Sequence, residues 1–104
     1  MEDPLSPRTV IAKITTKPGH RDDAVQAFAP LLAAASAESG TLTYRIYLDR
    51  KNDDIIWFFE EYADKVGFDA HMNSETMRQV GAAAAPFLVA PPEFAFVQPA
   101  LPTP

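Results

Sequence analysis

The chain has 104 residues, 47% of them hydrophobic, and carries 9 basic against 14 acidic side chains for a net charge of −5. That length fits one domain with a single core, and the scattered cations exclude a nucleic-acid surface, which needs concentrated positive charge. The lack of cysteine excludes disulfides, thiolate metal sites and a Cys nucleophile, and no stretch approaches the roughly 18 apolar residues that span a membrane.

Residues 1–8 hold two prolines and little apolar content, and read as a flexible lead. They have neither the basic region nor the apolar run of a signal peptide, so a cytoplasmic protein is expected. Thr9 to Lys17 is rich in β-branched residues and bounded by Pro18-Gly19, which predicts a strand with Val10, Ala12 and Ile14 on one face. Asp22 and Asp23 suit a helix N-terminus. Val25, Phe28, Ala29, Leu32 and Ala35 then follow helical spacing. A helix from about His20 to Ser39 is expected, bent at Pro30 and closed by Gly40 as a C′ residue.

Thr41 to Leu48 alternates, with Leu42, Tyr44, Ile46 and Leu48 on one face. Asp49 to Asp54 is a polar turn, and Ile55 to Tyr62 is a third strand completing a hairpin. Asp64 is placed to cap a short helix from Lys65 to Met72. Asn73-Ser74 interrupts it, and Glu75 to Ala85 forms a second helical piece stopped by Pro86. Glu93 to Val97 is the last strand, and residues 98–104 form a Pro-rich tail. The order predicts an α+β fold: a ferredoxin-like antiparallel sheet with helices on one face, spanning residues 9–97.

The third strand is apolar on both faces. Ile56, Phe58, Glu60 and Tyr62 point one way, and Ile55, Trp57, Phe59 and Glu61 the other. A sheet with one solvated face should alternate apolar and polar. Leaving Trp57 and Phe59 in water forgoes several kcal/mol, at roughly 25 cal/mol per Å2 over about 150–250 Å2 per aromatic ring. A homodimer packed sheet to sheet through Trp57 and Phe59 removes that exposure. The competing arrangement puts Trp57 under the C-terminal tail.

On the other face, Phe58, Glu60 and Tyr62 lie in a row, and Phe68, His71 and Met72 share one side of the following helix. Packing that helix on the sheet brings His71 toward Glu60 and Tyr62. An imidazole titrates near neutral pH and can take a proton from a weakly acidic substrate. Tyr62 or Tyr44 can donate a hydrogen bond to a developing oxyanion, and Phe58, Phe68 and Met72 offer an apolar slot for a ring. The structural alternative makes Glu60 a carboxylate held by a backbone amide or by Lys13, and His71 a satisfied helix residue. The two histidines lack metal-ligand spacing, so no metal site is expected.

Lys17-Pro18-Gly19, Glu38-Ser39-Gly40, the run Leu42 to Tyr47, Phe59-Glu60-Glu61-Tyr62 and Ala70-His71 together resemble the antibiotic biosynthesis monooxygenase family, over about residues 9 to 97. The resemblance implies a ferredoxin-like fold that two copies combine into a dimeric α/β barrel. It also implies oxygenation of small aromatic polyketides, anthrones or quinols by O2, without metal, flavin or haem. Glu60, Tyr62 and His71 fall on the family's recurring Glu-x-aromatic and His positions. Haem-degrading relatives instead use an Asn in the first strand, a Trp at position 62 and a later His. Here those places hold Ala12, Tyr62 and no histidine beyond His71. Quinol-type members can carry a second His shortly after the first, where this chain reads Met-Asn-Ser-Glu-Thr-Met with Thr76 near that place. The expected activity is a cofactor-independent monooxygenase with His71 as base. An isomerase of a small oxygenated metabolite and a non-catalytic hydrophobic-ligand-binding protein are the alternatives.

Overall fold

The computed structural model describes residues 3–101. The ends of the expected lead and tail, residues 1–2 and 102–104, lie outside them. The elements are β1 (Arg8–Thr15), α1 (Arg21–Phe28), α2 (Pro30–Ala37), β2 (Thr41–Leu48), β3 (Ile55–Tyr62), α3 (Lys65–Met72), α4 (Glu75–Ala84) and β4 (Glu93–Val97), with a 3-10 turn at Ala85–Phe87. The four strands form one open antiparallel sheet in the order β2-β3-β1-β4, the ferredoxin-like arrangement.

Strand parity decides what is buried. Val10, Ala12 and Ile14 of β1 join Ile56 and Phe58 of β3 under the helices, with Phe28 and Leu31 packed onto them. Phe28 meets Phe58 edge to face at 5.0 Å. The opposite face carries Ile11, Trp57 and Phe59, all half-buried, with Tyr47 exposed. Among the described residues the shallow cleft beside Trp57 is lined from β1, β2 and β3.

Four local expectations are corrected. The long helix is two, because Pro30 cannot continue the hydrogen-bond ladder of α1 and instead serves as the first residue of α2. Leu42 does not follow the regular alternation of Tyr44 and Ile46. The register slips between Thr41 and Thr43, leaving Leu42 as the extra residue of a bulge with its side chain 64% exposed. Gly40 is not a left-handed helix terminator, since Gly19 alone of the described residues has positive φ. A Cβ on Gly40 would instead come within 2.6 Å of the Gly67 Cα, and one on Gly67 within 2.7 Å of the Gly40 carbonyl oxygen. The first strand stops at Thr15, short of Lys17, where Thr16 turns to bridge Leu88.

The remaining helix starts follow their caps. Asp64 accepts from the Gly67 amide at 2.9 Å and Ser74 from the Met77 amide at 3.1 Å. The lead is tied back from Asp3 onward, the Pro4 carbonyl accepting from the Lys65 amide at 3.0 Å.

Candidate functional site

One row crosses the helix-facing side of the sheet: Tyr44 on β2, Glu60 on β3, Val10 on β1 and Phe96 on β4 are register neighbours. Glu60 and Val10 are buried, while Phe96 is 64% exposed at the sheet edge. Tyr62 sits two residues beyond Glu60 and therefore on the same face. Its hydroxyl donates to Glu60 Oε1. Lys13 is not a partner of Glu60, because parity sends it to the other face, where its ammonium stands 6.0 Å from the Trp57 ring.

Burial raises the Glu60 pKa, opposed by the Tyr62 hydrogen bond and by the nearby His71. Burial, with the charge of Glu60 second, pushes both the Tyr44 and Tyr62 phenols upward. Both therefore stay protonated at neutral pH. The single hydroxyl proton of Tyr62 is committed to Glu60, whereas Tyr44 makes no side-chain hydrogen bond among the described residues. Tyr44 is thus the phenol with a donor to spare.

His71, in the last turn of α3, is fully buried. Its ring lies 4.9 Å from that of Tyr44 and 5.4 Å from that of Tyr62. The helix does bring it to the carboxylate side of the sheet, but Nδ1 faces Glu38 rather than Glu60, at 2.8 Å from Glu38 Oε1. The same oxygen accepts from Thr41 Oγ1 at 2.8 Å. Nε2 is buried with no hydrogen-bond partner among the described residues.

Two glycines set this approach. Gly67 lies one helical turn before His71 and Gly40 two residues after Glu38, and their backbones touch. No side chain intervenes, so α3 settles onto the start of β2 with the imidazole against the carboxylate. Glu38 escaped the sequence reading of the site. A signal was present: an acidic residue at the C-terminal end of a helix opposes the macrodipole and calls for another partner.

Of the other expected residues, Phe58 is core, held between Phe28 and Tyr44. Phe68 is half-buried between Tyr62 at 5.4 Å and Phe96 at 6.0 Å. Met72 is half-buried on the same helix. None of the four principal clefts among the described residues is lined by Glu60, Tyr62 or His71. Two of them stop at its walls. A cleft of about 940 Å3 between the N-terminal turn, α3 and β4 ends on Phe68, and one of about 170 Å3 ends on Tyr44. A third, of about 450 Å3, lies between α1, α4 and residues 88–92. Among the described residues no three His, Asp or Glu side chains converge as a metal site, and no helix is long and apolar enough to cross a membrane.

One open four-stranded antiparallel sheet with helices on one face defines a ferredoxin-like α+β domain, here with a buried histidine and a buried carboxyl group beside two tyrosines. A family model described as antibiotic biosynthesis monooxygenase matches residues 7–83, and the chain belongs to that family, whose members are commonly dimeric. Among solved structures it is similar to PA3566 of Pseudomonas aeruginosa, at 24% identity and TM-score 0.84, covering 96% of this chain and 100% of that one. It is also similar to Rv0793 of Mycobacterium tuberculosis, at 22% identity and TM-score 0.85, covering 95% and 100%. A third, described as an antibiotic biosynthesis monooxygenase, aligns at 22% identity and TM-score 0.81, covering 91% and 99%. At these identities the likeness concerns the fold. Comparison with curated proteins returns no match.

Proposed function

We propose that the protein is a cofactor-independent monooxygenase of a small electron-rich aromatic substrate, a quinol, anthrone or polyketide-like ring, with His71 as the base. The observation that carries this reading is the buried Nε2 of His71, without a hydrogen-bond partner among the described residues and set among the rings of Tyr44 and Tyr62. Such a nitrogen has the chemistry to accept a proton from a weakly acidic phenol or anthrone. Tyr44, its hydroxyl neutral and uncommitted, donates to the oxyanion that forms.

For an anthrone the steps balance. His71 takes the acidic proton, and the resulting anion gives one electron to O2. The substrate radical and superoxide then join through a C–O bond, giving a peroxide that takes back the proton. Loss of water from the hydroperoxide leaves a ketone. One oxygen atom ends in product and one in water, and no external reductant is needed. For a ring to reach Nε2, Phe68 must swing away from Tyr62 or Tyr44 away from His71, since the clefts end on those side chains. Phe68, half-buried and flanked by the exposed Phe96, is the freer wall.

The test is oxygen uptake with a panel of quinols and anthrones. Wild type consumes O2 with an accepted substrate, and His71→Ala loses about 100-fold or more in kcat, the usual range for a positioned base. Wild-type rates in that variant refute the assignment. Turnover of the substrate under strictly anaerobic conditions would point to an isomerase in the same pocket.

One observation favours a second reading, a non-catalytic holder of a hydrophobic ligand. The cleft of about 450 Å3 beside α4 is walled by Phe28, Met77, Val80, Leu88 and Val89, and its size suits a small molecule. Under that reading, a ligand recovered with the purified protein is unchanged after exposure to O2.

A further inference from the structure

We infer that Glu38 is the positioning residue of His71: by accepting from Nδ1 it fixes the imidazole in the tautomer whose unprotonated nitrogen is Nε2. The contact is geometric. Glu38 Oε1 lies 2.8 Å from Nδ1, and the histidine ring has no exposure to water that could supply another partner. The carboxylate is itself oriented, because Thr41 Oγ1 donates to the same oxygen.

The alternatives are each worse by hydrogen bonding. With the proton on Nε2, the Nδ1 lone pair would face a carboxylate oxygen, and a buried N–H would stand without an acceptor. A doubly protonated ring keeps the bond to Glu38 but again buries an N–H that has no acceptor. The neutral ring with its proton on Nδ1 satisfies Glu38 and leaves only a lone pair, on the atom the proposed chemistry needs. The groups facing the ring are Glu38 from the end of α2, Tyr44 from β2, and Glu60 and Tyr62 from β3. Of these only Glu38 bonds it.

The tautomer is independent of the substrate, whereas its use in catalysis rests on the reading of His71 as base. The two are separable by experiment. Proton–nitrogen correlation NMR of uniformly 15N-labelled full-length chain, above neutral pH, reports the protonation of each ring nitrogen. His20→Asn assigns the spectra by subtraction. His20 is also an internal reference, because it makes the same type of Nδ1–carboxylate contact, to Asp23 at 2.9 Å, but in solvent.

In wild type His71 is expected to show a protonated Nδ1 and an unprotonated Nε2. Glu38→Ala populates the Nε2–H form, and Glu38→Gln, whose carbonyl can accept the same bond, restores the wild-type pattern. Glu38→Asp keeps the charge, shortens the reach and behaves like the alanine variant; it decides the matter should Glu38→Ala not fold. With an accepted substrate, kcat in Glu38→Ala falls about ten- to a hundredfold with KM little changed, and Glu38→Gln recovers most of the loss. A wild-type ring protonated on Nε2, or a folded Glu38→Ala or Glu38→Asp variant that keeps the Nδ1–H tautomer, overturns the inference. A locked tautomer together with a fully active His71→Ala enzyme instead overturns the base assignment and leaves the positioning intact.

Discussion

Glu60 is a carboxyl group that the fold makes harder to ionise. It is 3% exposed, and its closest polar partner is a neutral phenol. Burial raises its folded-state pKa above that of an unfolded Glu, against the lowering effects of Tyr62 and His71. The sign follows from linkage. The stability associated with the protonated group is present below the ordinary Glu range and is lost as pH rises through the raised folded value. Glu60→Gln keeps an acceptor for Tyr62 but cannot ionise. Urea midpoints measured from acid to neutral pH are expected to show the variant gaining on wild type as pH rises. A constant difference across that range would contradict it. Asp49 behaves oppositely. It accepts from the Trp57 indole at 2.8 Å and from the Lys51 and Asn52 amides, which hold its pKa down to about 2.

The elements show which parts of this protein were legible in the sequence. The hairpin of β2 and β3 emerges at its expected bounds, because alternation and the polar turn between the strands are both local signals. So is the Asp64 cap, whereas Ser74, read as part of an interruption, proves to cap α4. What local signals cannot carry is contact between distant residues. Gly40 reads as a helix stop from its neighbours, yet its reason is Gly67, a residue 27 positions away. The same separation hid Glu38 from His71, 33 residues apart, although the misplaced helix-end charge hinted at a partner. The bulge at Leu42 likewise depends on pairing with β3 rather than on the strand's own pattern. Gly67→Ala is the sharpest test at this scale. Its methyl group would meet the Gly40 carbonyl at 2.7 Å, backbone that cannot swing aside. A loss of about 1–3 kcal/mol in urea denaturation is expected, the range for overpacking. Gly81→Ala, with open space around its Cβ inside α4, should stabilise slightly. Equal effects of the two substitutions would refute the close-approach argument.

For the whole molecule, the sheet has one face under helices and the other bearing Trp57, Phe59, Ile11 and Tyr47. Its two-faced third strand was legible from parity alone, whereas the site's closure was not, since it depends on how Phe68 and Tyr44 pack. We propose that a second copy covers the bare face, closing two open sheets into a barrel. Phe59→Arg tests this without disturbing the Asp49 bond to Trp57. Size-exclusion with light scattering should give a dimer for wild type and a monomer for the variant. A monomeric wild type at micromolar concentration contradicts the interface. The central claim, oxygen transfer at His71 without an external reductant, is tested most directly by turnover under 18O2. The expected result is that an accepted anthrone or quinol acquires one labelled oxygen atom, that the second appears in water, and that both form about 100-fold or more slowly with His71→Ala. Product free of label, or labelled product from the His71→Ala enzyme at the wild-type rate, would contradict it.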